Sequence, residues 1–313
     1  MPNIITHYNF CNNRVNDDLK KIALLGSQGP DPFFFSLTAF KLSSKKYSSL
    51  ASSMHRMDPY RMYKYMIDYA LSKSGKERDI LFSFIRGLMY HYCVDRNCHP
   101  YVFYLTGFKT EENKGKLKKK LSHSGFETYI DVLLSQKYGI KVNPVETIKA
   151  PEEQIQLVSV MIYHFVKDVL NIDNMDSSSY YDCVKGMQRF QKLVYSPSGI
   201  KKKIYSIFLR KTPLDDMCMP KEVKYNDVLD CMNEKKQVWL EPDSGKERND
   251  TFYEVLDMAT KDGDVVDEIL QLAYNGKNYD KKLKEFTNEI NHHGFNPDDK
   301  KKYYSLITNR LKK

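Results

Sequence analysis

Apolar side chains recur at intervals of three and four residues along most of this chain, and no segment alternates between apolar and polar residues as a half-buried strand would. Glycine and proline, which interrupt helices, are sparse at 14 and 12 of 313 residues. One apolar series ends at Gly26 and comprises Val15, Leu19, Ile22 and Leu25. The pattern predicts an all-α fold, a multi-helix bundle of about a dozen helices.

The predicted helices cover most of the chain. They lie at about 14–25, 59–73, 77–95, 112–137, 152–171, 178–194, 198–210, 221–233, 248–261, 263–275, 279–291 and 298–311. Two longer segments lack helical spacing, namely 141–151, which contains two prolines, and 235–250. We therefore divide the chain into a helical core, residues 1–150, and a helical remainder, residues 151–313, which can complete the same domain.

Composition excludes several classes of protein. Apolar residues make up 41% of the chain and charged residues 28%, which is typical of a globular protein and not of a disordered one. The longest apolar runs fall far short of the ~18–20 residues that cross a bilayer. The first residues show no basic segment followed by an apolar one, as a secretory signal would. We therefore expect no transmembrane helix and a cytoplasmic location.

The positive charge lies in the first half of the chain. The formal net charge is +9, and residues 1–150 carry 23 basic and 13 acidic side chains. Five of those lysines lie within residues 114–120. Such a field favours an anionic partner such as nucleic acid, a phospholipid surface or a phosphate ester, although a solvated basic helix face would show the same pattern.

The six cysteines form no CxxC pair, which favours free thiols over a disulfide framework or a zinc ribbon.

Histidine and carboxylate residues recur four positions apart, on one face of a helix. His91 precedes Asp95 by four residues, His99 follows Asp95 by four, and His123 precedes Glu127 by four. Two helices that each present an imidazole and a carboxylate can hold metal ions between them. Spacing alone is weak evidence, because about one such pair is expected by chance and His164 with Asp168 repeats it elsewhere.

The sequences around these residues carry a family resemblance. Gly26–Asp31 (GSQGPD), His55, Gly87–Pro100 (GLMYHYCVDRNCHP) and His123–Glu127 (HSGFE), which is followed by Asp131, occur in this order. The ordered set resembles the zinc-dependent phospholipase C family and is similar in pattern to helical three-zinc nucleases. The resemblance covers residues 7–131.

The resemblance implies two to three zinc ions and their ligands. One ion would be held by Asp31, His55, His91 and Asp95. A second would be held by His99, His123 and Glu127. A third would be held by His7 with Asp95 as a bridge, although secreted members of the family complete that site with an N-terminal tryptophan that this sequence lacks. Imidazole and carboxylate ligands without thiolate are typical of catalytic zinc.

The implied chemistry is hydrolysis of a phosphoric ester. Zinc lowers the pKa of bound water to about 7, so that a metal-bound hydroxide can attack a phosphodiester or a phosphomonoester. Asp31, as a ligand and proton acceptor, and Asp95, as the bridge, are the candidate catalytic residues. The expected substrate is a phospholipid or a related phosphate ester.

Two alternatives stay open. The same metals could serve a nuclease or a nucleotide phosphoesterase, which makes nucleic acid the second choice of partner. A non-catalytic helical scaffold with a structural metal cluster is the other alternative, although structural zinc sites are usually rich in cysteine.

Two further features are interpreted as structural. The aromatic run Phe33–Phe35 is interpreted as core, although it could line a pocket beside Asp31. The pair His292-His293 has no carboxylate at helical spacing and is interpreted as surface.

The glycines near Asp31 do not match a phosphate-binding loop.

Overall fold

A computed structural model describes residues 4–36, 45–107, 122–210, 212–223 and 230–296 of the chain. The described residues form thirteen α-helices, one 3-10 helix and a two-stranded hairpin, so the predicted all-α class is confirmed. The helices are α1 Ile4–Asn12, α2 Lys20–Gly26, the 3-10 helix Asp31–Phe35, α3 Lys45–Arg56, α4 Pro59–Leu71, α5 Gly75–Thr106, α6 His123–Tyr138, α7 Pro144–Thr147, α8 Glu152–Leu170, α9 Ser179–Val194, α10 Ile200–Phe208, α11 Pro213–Asp216, α12 Phe252–Tyr274 and α13 Asp280–Thr287. The antiparallel strands are β1 Trp239–Leu240 and β2 Glu247–Arg248.

The 32-residue helix α5 lies at the centre of the fold. Helices α1, α2, α4, α6, α8 and α12 all contact it. Most of its side chains are buried, and from Gly87 to Tyr104 only Arg96 and Asn97 are partly exposed. Polar side chains on this helix therefore lie in the interior, where an unpaired charge costs several kcal/mol and needs a partner. Because α12 comes from the second half of the chain, the two halves pack against the same central helix.

Helices α2 and α5 cross with their backbones in contact. A Cβ atom added at Gly87 would lie 1.9 Å from the carbonyl oxygen of Ala23, and one at Gly26 would lie 2.3 Å from the carbonyl oxygen of Phe84. Any side chain at these two positions would force the helices apart. The close approach carries the loop that follows α2 across the middle of α5.

Several predicted boundaries differ from the structure. Helices α1 and α3 were not predicted. Helix α1 buries side chains on most of its circumference and shows no single apolar stripe, whereas α3 carries only a short stripe of Tyr47, Leu50, Ala51 and Met54 among polar residues. The helix predicted at 77–95 continues to Thr106. The ranges 248–261 and 263–275 form one helix, α12, which continues through Gly263 where the Arg14 guanidinium packs closely.

Other predictions are limited by the described residues. The helix predicted at 14–25 begins only at Lys20, and the one at 112–137 is described only from residue 122 onward. The described residues of the range 221–233 form no helix, and the range 298–311 lies outside the described residues, as do Lys114 to Lys120. All six cysteines are free thiols, as predicted, and all six are buried. Among the described helices, none has a stretch long and apolar enough to span a bilayer.

Candidate metal centre

Helix α5 places three of the predicted ligands on one buried face. His91, Asp95 and His99 follow one another at intervals of four residues, so their side chains point in nearly the same direction. Each is at most 1% exposed. An isolated charge at such a depth would be strongly destabilising, which means that these groups must be compensated by one another or by a bound cation.

Four other elements bring the remaining predicted ligands to that face. Asp31 is the first residue of the 3-10 helix, and His55 lies in the last turn of α3. His7 lies in the middle of α1, and α6 supplies His123 and Glu127 from its first turns. All five lie in described segments, and every predicted ligand except His123 is at most 4% exposed.

Five residues form what we call the inner cluster: His7, Asp31, His55, His91 and Asp95. His91 is shared by two groups of possible ligands, one with His7 and Asp95 and the other with Asp31 and His55. The Asp95 oxygens lie 3.0 Å from Nε2 of His91, 3.4 Å from Nε2 of His7 and 3.7 Å from Nε2 of His55. Nε2 of His55 also lies 3.2 Å from an oxygen of Asp31.

These distances suit ligands of a common metal ion. Ligand bonds of about 2.0–2.2 Å in tetrahedral geometry separate neighbouring ligand atoms by roughly 3.4 Å. The observed separations of 3.0–3.7 Å between imidazole nitrogens and carboxylate oxygens bracket that value. The inner cluster can therefore hold metal ions without a change of its backbone.

The histidines are oriented as metal ligands usually are. Nδ1 of His55 donates to the carbonyl oxygen of Ala51 (2.8 Å), and Nδ1 of His91 donates to that of Ser27 (3.0 Å). Because a carbonyl only accepts, each bond places the proton on Nδ1 and leaves a lone pair on Nε2. Backbone carbonyls fix the rings of metal-binding histidines in this way. The His55 ring is therefore held by its own helix, and the His91 ring is held by the loop after α2.

The atoms that face the centre of the inner cluster are buried and make no hydrogen bond to any described residue. They include Nε2 of His55 and of His91, both oxygens of Asp95 and one oxygen of Asp31. Buried polar groups are nearly always satisfied, so several of them converging on one point indicate a missing partner. A cation that accepts lone pairs from nitrogen and oxygen satisfies all of them together, so the donor set can hold a metal ion.

The electrostatics of the cluster favour a positive charge at its centre. Burial opposes ionisation of Asp95, but the neighbouring His91 and His99 outweigh burial and hold the pKa of this carboxyl well below its usual range. Burial likewise opposes protonation of His91, but the charge of Asp95 raises its pKa. A proton and a divalent cation thus compete for the same position, and metal binding releases the proton.

The other three predicted ligands, His99, His123 and Glu127, form what we call the outer cluster. Nε2 of His123 lies 2.8 Å from an oxygen of Glu127, and Nε2 of His99 lies 4.0 Å from the same oxygen. Nδ1 of His99 donates to the carbonyl oxygen of His292 (2.5 Å), which turns Nε2 toward Glu127. The side chain of His123 is 26% exposed, so this cluster reaches the surface of the protein.

Gly29, the second glycine of the GSQGPD string, lies against the His91 ring. Its φ of +58° is a left-handed conformation, and a Cβ atom there would lie 2.3 Å from Cδ2 of His91. A side chain at this position would therefore be strained and would overlap the imidazole. Glycine therefore lets the chain pass close to the ring, two residues before Asp31.

Asp131 positions α1 and does not belong to either cluster. Its carboxylate accepts hydrogen bonds from the backbone amides of Ile5 and Thr6, each 2.9 Å long, and from the hydroxyl of Thr6 (2.6 Å). These donors lie at the start of α1, where amides have no partner inside the helix. Burial raises the pKa of this carboxyl to about 7, against the effect of the three hydrogen bonds. The residue thereby fixes the segment that carries His7.

The interpretation of His292-His293 as surface was wrong. His292 is fully buried, and its ring centroid lies 5.3 Å from that of His55 and 5.7 Å from that of His91. The backbone amide of His292 donates to the carbonyl oxygen of His55, and Gly294 contacts the α5 backbone near Pro100. This turn follows α13, more than 160 residues beyond Glu127, so helical spacing could not reveal it. The adjacent histidines were the only signal.

His293 lies at the junction of the two clusters. Its ring centroid is 5.6 Å from that of His99 and 6.4 Å from that of His55. Burial, reinforced by the neighbouring His55, lowers the pKa of His293 to about 3, so the imidazole is neutral at pH 7. The second half of the chain therefore supplies part of the site.

The aromatic run beside Asp31 is divided between core and site. Phe33 and Phe35 are buried in the core, as expected, whereas Phe34 is partly exposed with its ring centroid 5.9 Å from that of His55.

His164 and Asp168, which have the same spacing of four residues, lie outside both clusters. His164 is partly exposed and packs on Tyr69, while Asp168 accepts a hydrogen bond from Tyr65.

Comparisons of this chain with protein-family models, with curated proteins and with solved structures found no match. The resemblance to zinc-dependent phospholipase C therefore stays a prediction, and so does the role of each residue. The structure itself shows that all eight predicted ligands lie in two buried or nearly buried clusters between helices, which could hold metal ions.

Proposed function

We propose that this protein is a zinc-dependent hydrolase of phosphoric esters, similar in its chemistry to the phospholipase C enzymes that its ligand strings resemble. One observation carries the proposal. The inner cluster contains two groups of buried imidazoles and carboxylates that share His91, and its converging atoms make no hydrogen bond to any described residue; the outer cluster lies beside it along α5. An arrangement of this kind suits two or three ions acting on one substrate.

The role proposed for each carboxylate follows from its position in the inner cluster. Zinc ions, when bound, lower the pKa of a coordinated water toward neutrality and offset the negative charge of a phosphoryl group. Asp95 holds the inner cluster together because its oxygens face three imidazoles. Asp31, at the edge of that cluster beside Phe34, is the carboxylate that would accept the proton of the attacking water.

His293 is proposed to orient the substrate. Its neutral ring lies near both clusters, where an N–H group can donate to a phosphoryl oxygen without adding a charge. The partly exposed His123 and the residues around it lie at the accessible end of the site, from which a phosphate ester would enter.

The first test measures metal content and hydrolysis together. Full-length protein is analysed for bound zinc and assayed on bis(p-nitrophenyl) phosphate before chelation, after chelation and after zinc is restored. We expect two to three ions per chain, loss of activity on chelation and recovery with zinc. Protein that binds no metal, or whose hydrolysis is unchanged by chelation, would contradict the proposal.

A matched pair of variants distinguishes a histidine of the inner cluster from a histidine outside both clusters. His91→Gln removes a ligand from the inner cluster, whereas His164→Gln changes a histidine with the same i, i+4 carboxylate that lies outside both clusters. Substitutions of groups that merely support ligands cost ~10–100-fold in activity, so we expect at least ~100-fold loss for His91→Gln. The His164→Gln variant should retain wild-type activity. Equal losses in both variants would indicate a general effect on folding.

A panel of three substrates identifies which class of phosphate ester the protein prefers. Phosphatidylcholine in mixed micelles, single-stranded DNA and p-nitrophenyl phosphate present a lipid diester, a nucleic-acid diester and a monoester to the same protein. We expect the highest kcat/KM on the lipid diester. Preference for DNA would replace the proposed substrate with nucleic acid while keeping the metal chemistry.

A further inference from the structure

Exposed apolar side chains are concentrated on one short helix. Eight large hydrophobic residues are exposed among the described residues, and five of them lie between positions 193 and 208. They are Leu193 (48%), Ile200 (59%), Ile204 (47%), Ile207 (72%) and Phe208 (78%). Single exposed apolar residues need no explanation, but a contiguous group marks a surface that binds something.

Helix α10 is amphipathic with the polar side turned toward the protein. Lys202 donates to Asp215 (2.9 Å), Ser206 donates to the same carboxylate (2.7 Å), and Tyr205 donates to the carbonyl oxygen of Leu193 (3.2 Å). No residue of the helix is buried. Helices on a protein surface normally bury the apolar face, so the opposite orientation indicates that the apolar face has another partner.

The exposed face has the layout of a helix that lies on a bilayer. At ~100° per residue, Ile200, Ile204, Ile207 and Phe208 occupy an arc about 100° wide. Lys203 and Lys201 flank this arc on its two sides, at the positions predicted by the same helical geometry. Apolar residues bordered by lysines allow the face to enter the acyl region while the ammonium groups stay at the level of the headgroups.

Charge identifies the occupant as an anionic surface. From Lys192 to Lys211 the sequence has six basic and no acidic residues. The long segments outside the described residues, 108–121 and 297–313, each carry six basic against two acidic residues, so they would be repelled by this face. The basic residues would also repel the same face of a second copy. An anionic lipid surface satisfies both the apolar residues and the lysines.

We propose that α10, together with Leu193, is a membrane-docking surface that binds anionic phospholipid bilayers with the helix lying in the interface. Docking depends on this surface alone and does not rest on the activity proposed for the metal clusters. It would hold the protein at a lipid surface through α10 and Leu193.

The test measures partition of the full-length protein onto vesicles of phosphatidylglycerol with phosphatidylcholine, and onto phosphatidylcholine alone, by sedimentation. We expect binding to the anionic vesicles that weakens at high salt, because the lysine contribution is screened. Ile207→Ser and Phe208→Ser should each reduce partition by ~10-fold or more, since each removes an apolar side chain that would be buried. Val238→Ser, which changes an isolated exposed residue, should leave partition unchanged.

Two further measurements keep the result unambiguous. Phe208→Trp should retain binding and should show a blue shift of indole fluorescence with anionic vesicles, against a background from Trp239 that is buried at 2% exposure. Light scattering and circular dichroism check that the variants stay folded and monodisperse. Equal partition of wild type and Phe208→Ser, an absence of binding to anionic vesicles, or a dimer that Phe208→Ser dissociates would each overturn the proposal.

Discussion

The inner and outer clusters differ in depth and in their surroundings. The inner cluster is at most 4% exposed, and the backbone holds two of its imidazoles. The outer cluster has His123 at 26% exposure, and its His99 ring is held by the C-terminal turn around His292. A metal ion in the inner cluster would replace buried protons and stabilise the fold. One in the outer cluster would lie where solvent can reach it.

The largest effect is expected from Asp95→Asn. This change removes the charge that faces three imidazoles of the inner cluster and keeps the size of the side chain. We expect at least ~100-fold lower affinity for zinc and a matching loss of hydrolysis, because even supporting groups cost ~10–100-fold. Zinc content after dialysis and the rate on bis(p-nitrophenyl) phosphate measure both.

The matched control for Asp95→Asn is Asp262→Asn, which breaks the 2.7 Å ion pair of Asp262 with Arg96, the next residue of α5. This control should lose stability without losing zinc. If Asp95→Asn binds as much zinc as the wild type, the inner cluster does not hold the metal.

A smaller effect is expected from Glu127→Gln, which acts on the outer cluster alone. The glutamate oxygen faces both His99 and His123, so its loss should remove one zinc ion while the inner ions stay bound. Activity should fall by ~10–100-fold, and the melting temperature should change less than in Asp95→Asn. Loss of every metal ion in Glu127→Gln would show that the two clusters form a single cooperative site.

Gly29→Ala tests the contact between the loop after α2 and the inner cluster. The new methyl group would overlap the His91 ring, and the backbone at φ +58° would be strained. Gly75→Ala is the control, because Gly75 has a similar φ of +54° with nothing near its Cβ position. Strain alone costs ~1–2 kcal/mol in unfolding free energy. We expect the control to lose that much, and Gly29→Ala to lose more and to bind zinc ~10-fold more weakly.

Equal behaviour of the two glycine variants, in denaturant unfolding and in zinc titration, would mean that the loop does not shape the site.

The smallest effect on zinc is expected from Asp131→Asn, which acts through α1. The amide keeps one acceptor oxygen but turns an NH₂ group toward a donor at the start of the helix. The mismatch should cost ~1–3 kcal/mol in stability, and zinc affinity should fall by only a few-fold as His7 becomes less well placed. Thr6→Val removes the hydroxyl bond alone and should cost less. If the Asp131→Asn protein keeps its stability and its metal content, the anchoring of α1 by Asp131 does not affect the inner cluster.

The sequence by itself determined the fold class and the candidate ligands on α5 and α6. Helical spacing is a local property, so the positions of His91, Asp95 and His99 on one face followed from the chain. The order of the short strings around them brought in Asp31, His55 and His7 by resemblance. Even the spacing signal was ambiguous without these strings, since His164 and Asp168 share it and lie outside both clusters.

Only the tertiary structure decided which further residues lie beside the two clusters. The turn at His292 reaches the site because α12 packs along α5 and the chain then returns past α13, a contact between residues about 200 positions apart. Asp131 likewise caps a helix 125 residues away. The outward orientation of α10 depends on hydrogen bonds to Asp215 and Leu193. The first two relations arise from packing between distant segments, and the third arises from contacts between residues 9 and 12 positions apart; local periodicity encodes none of them.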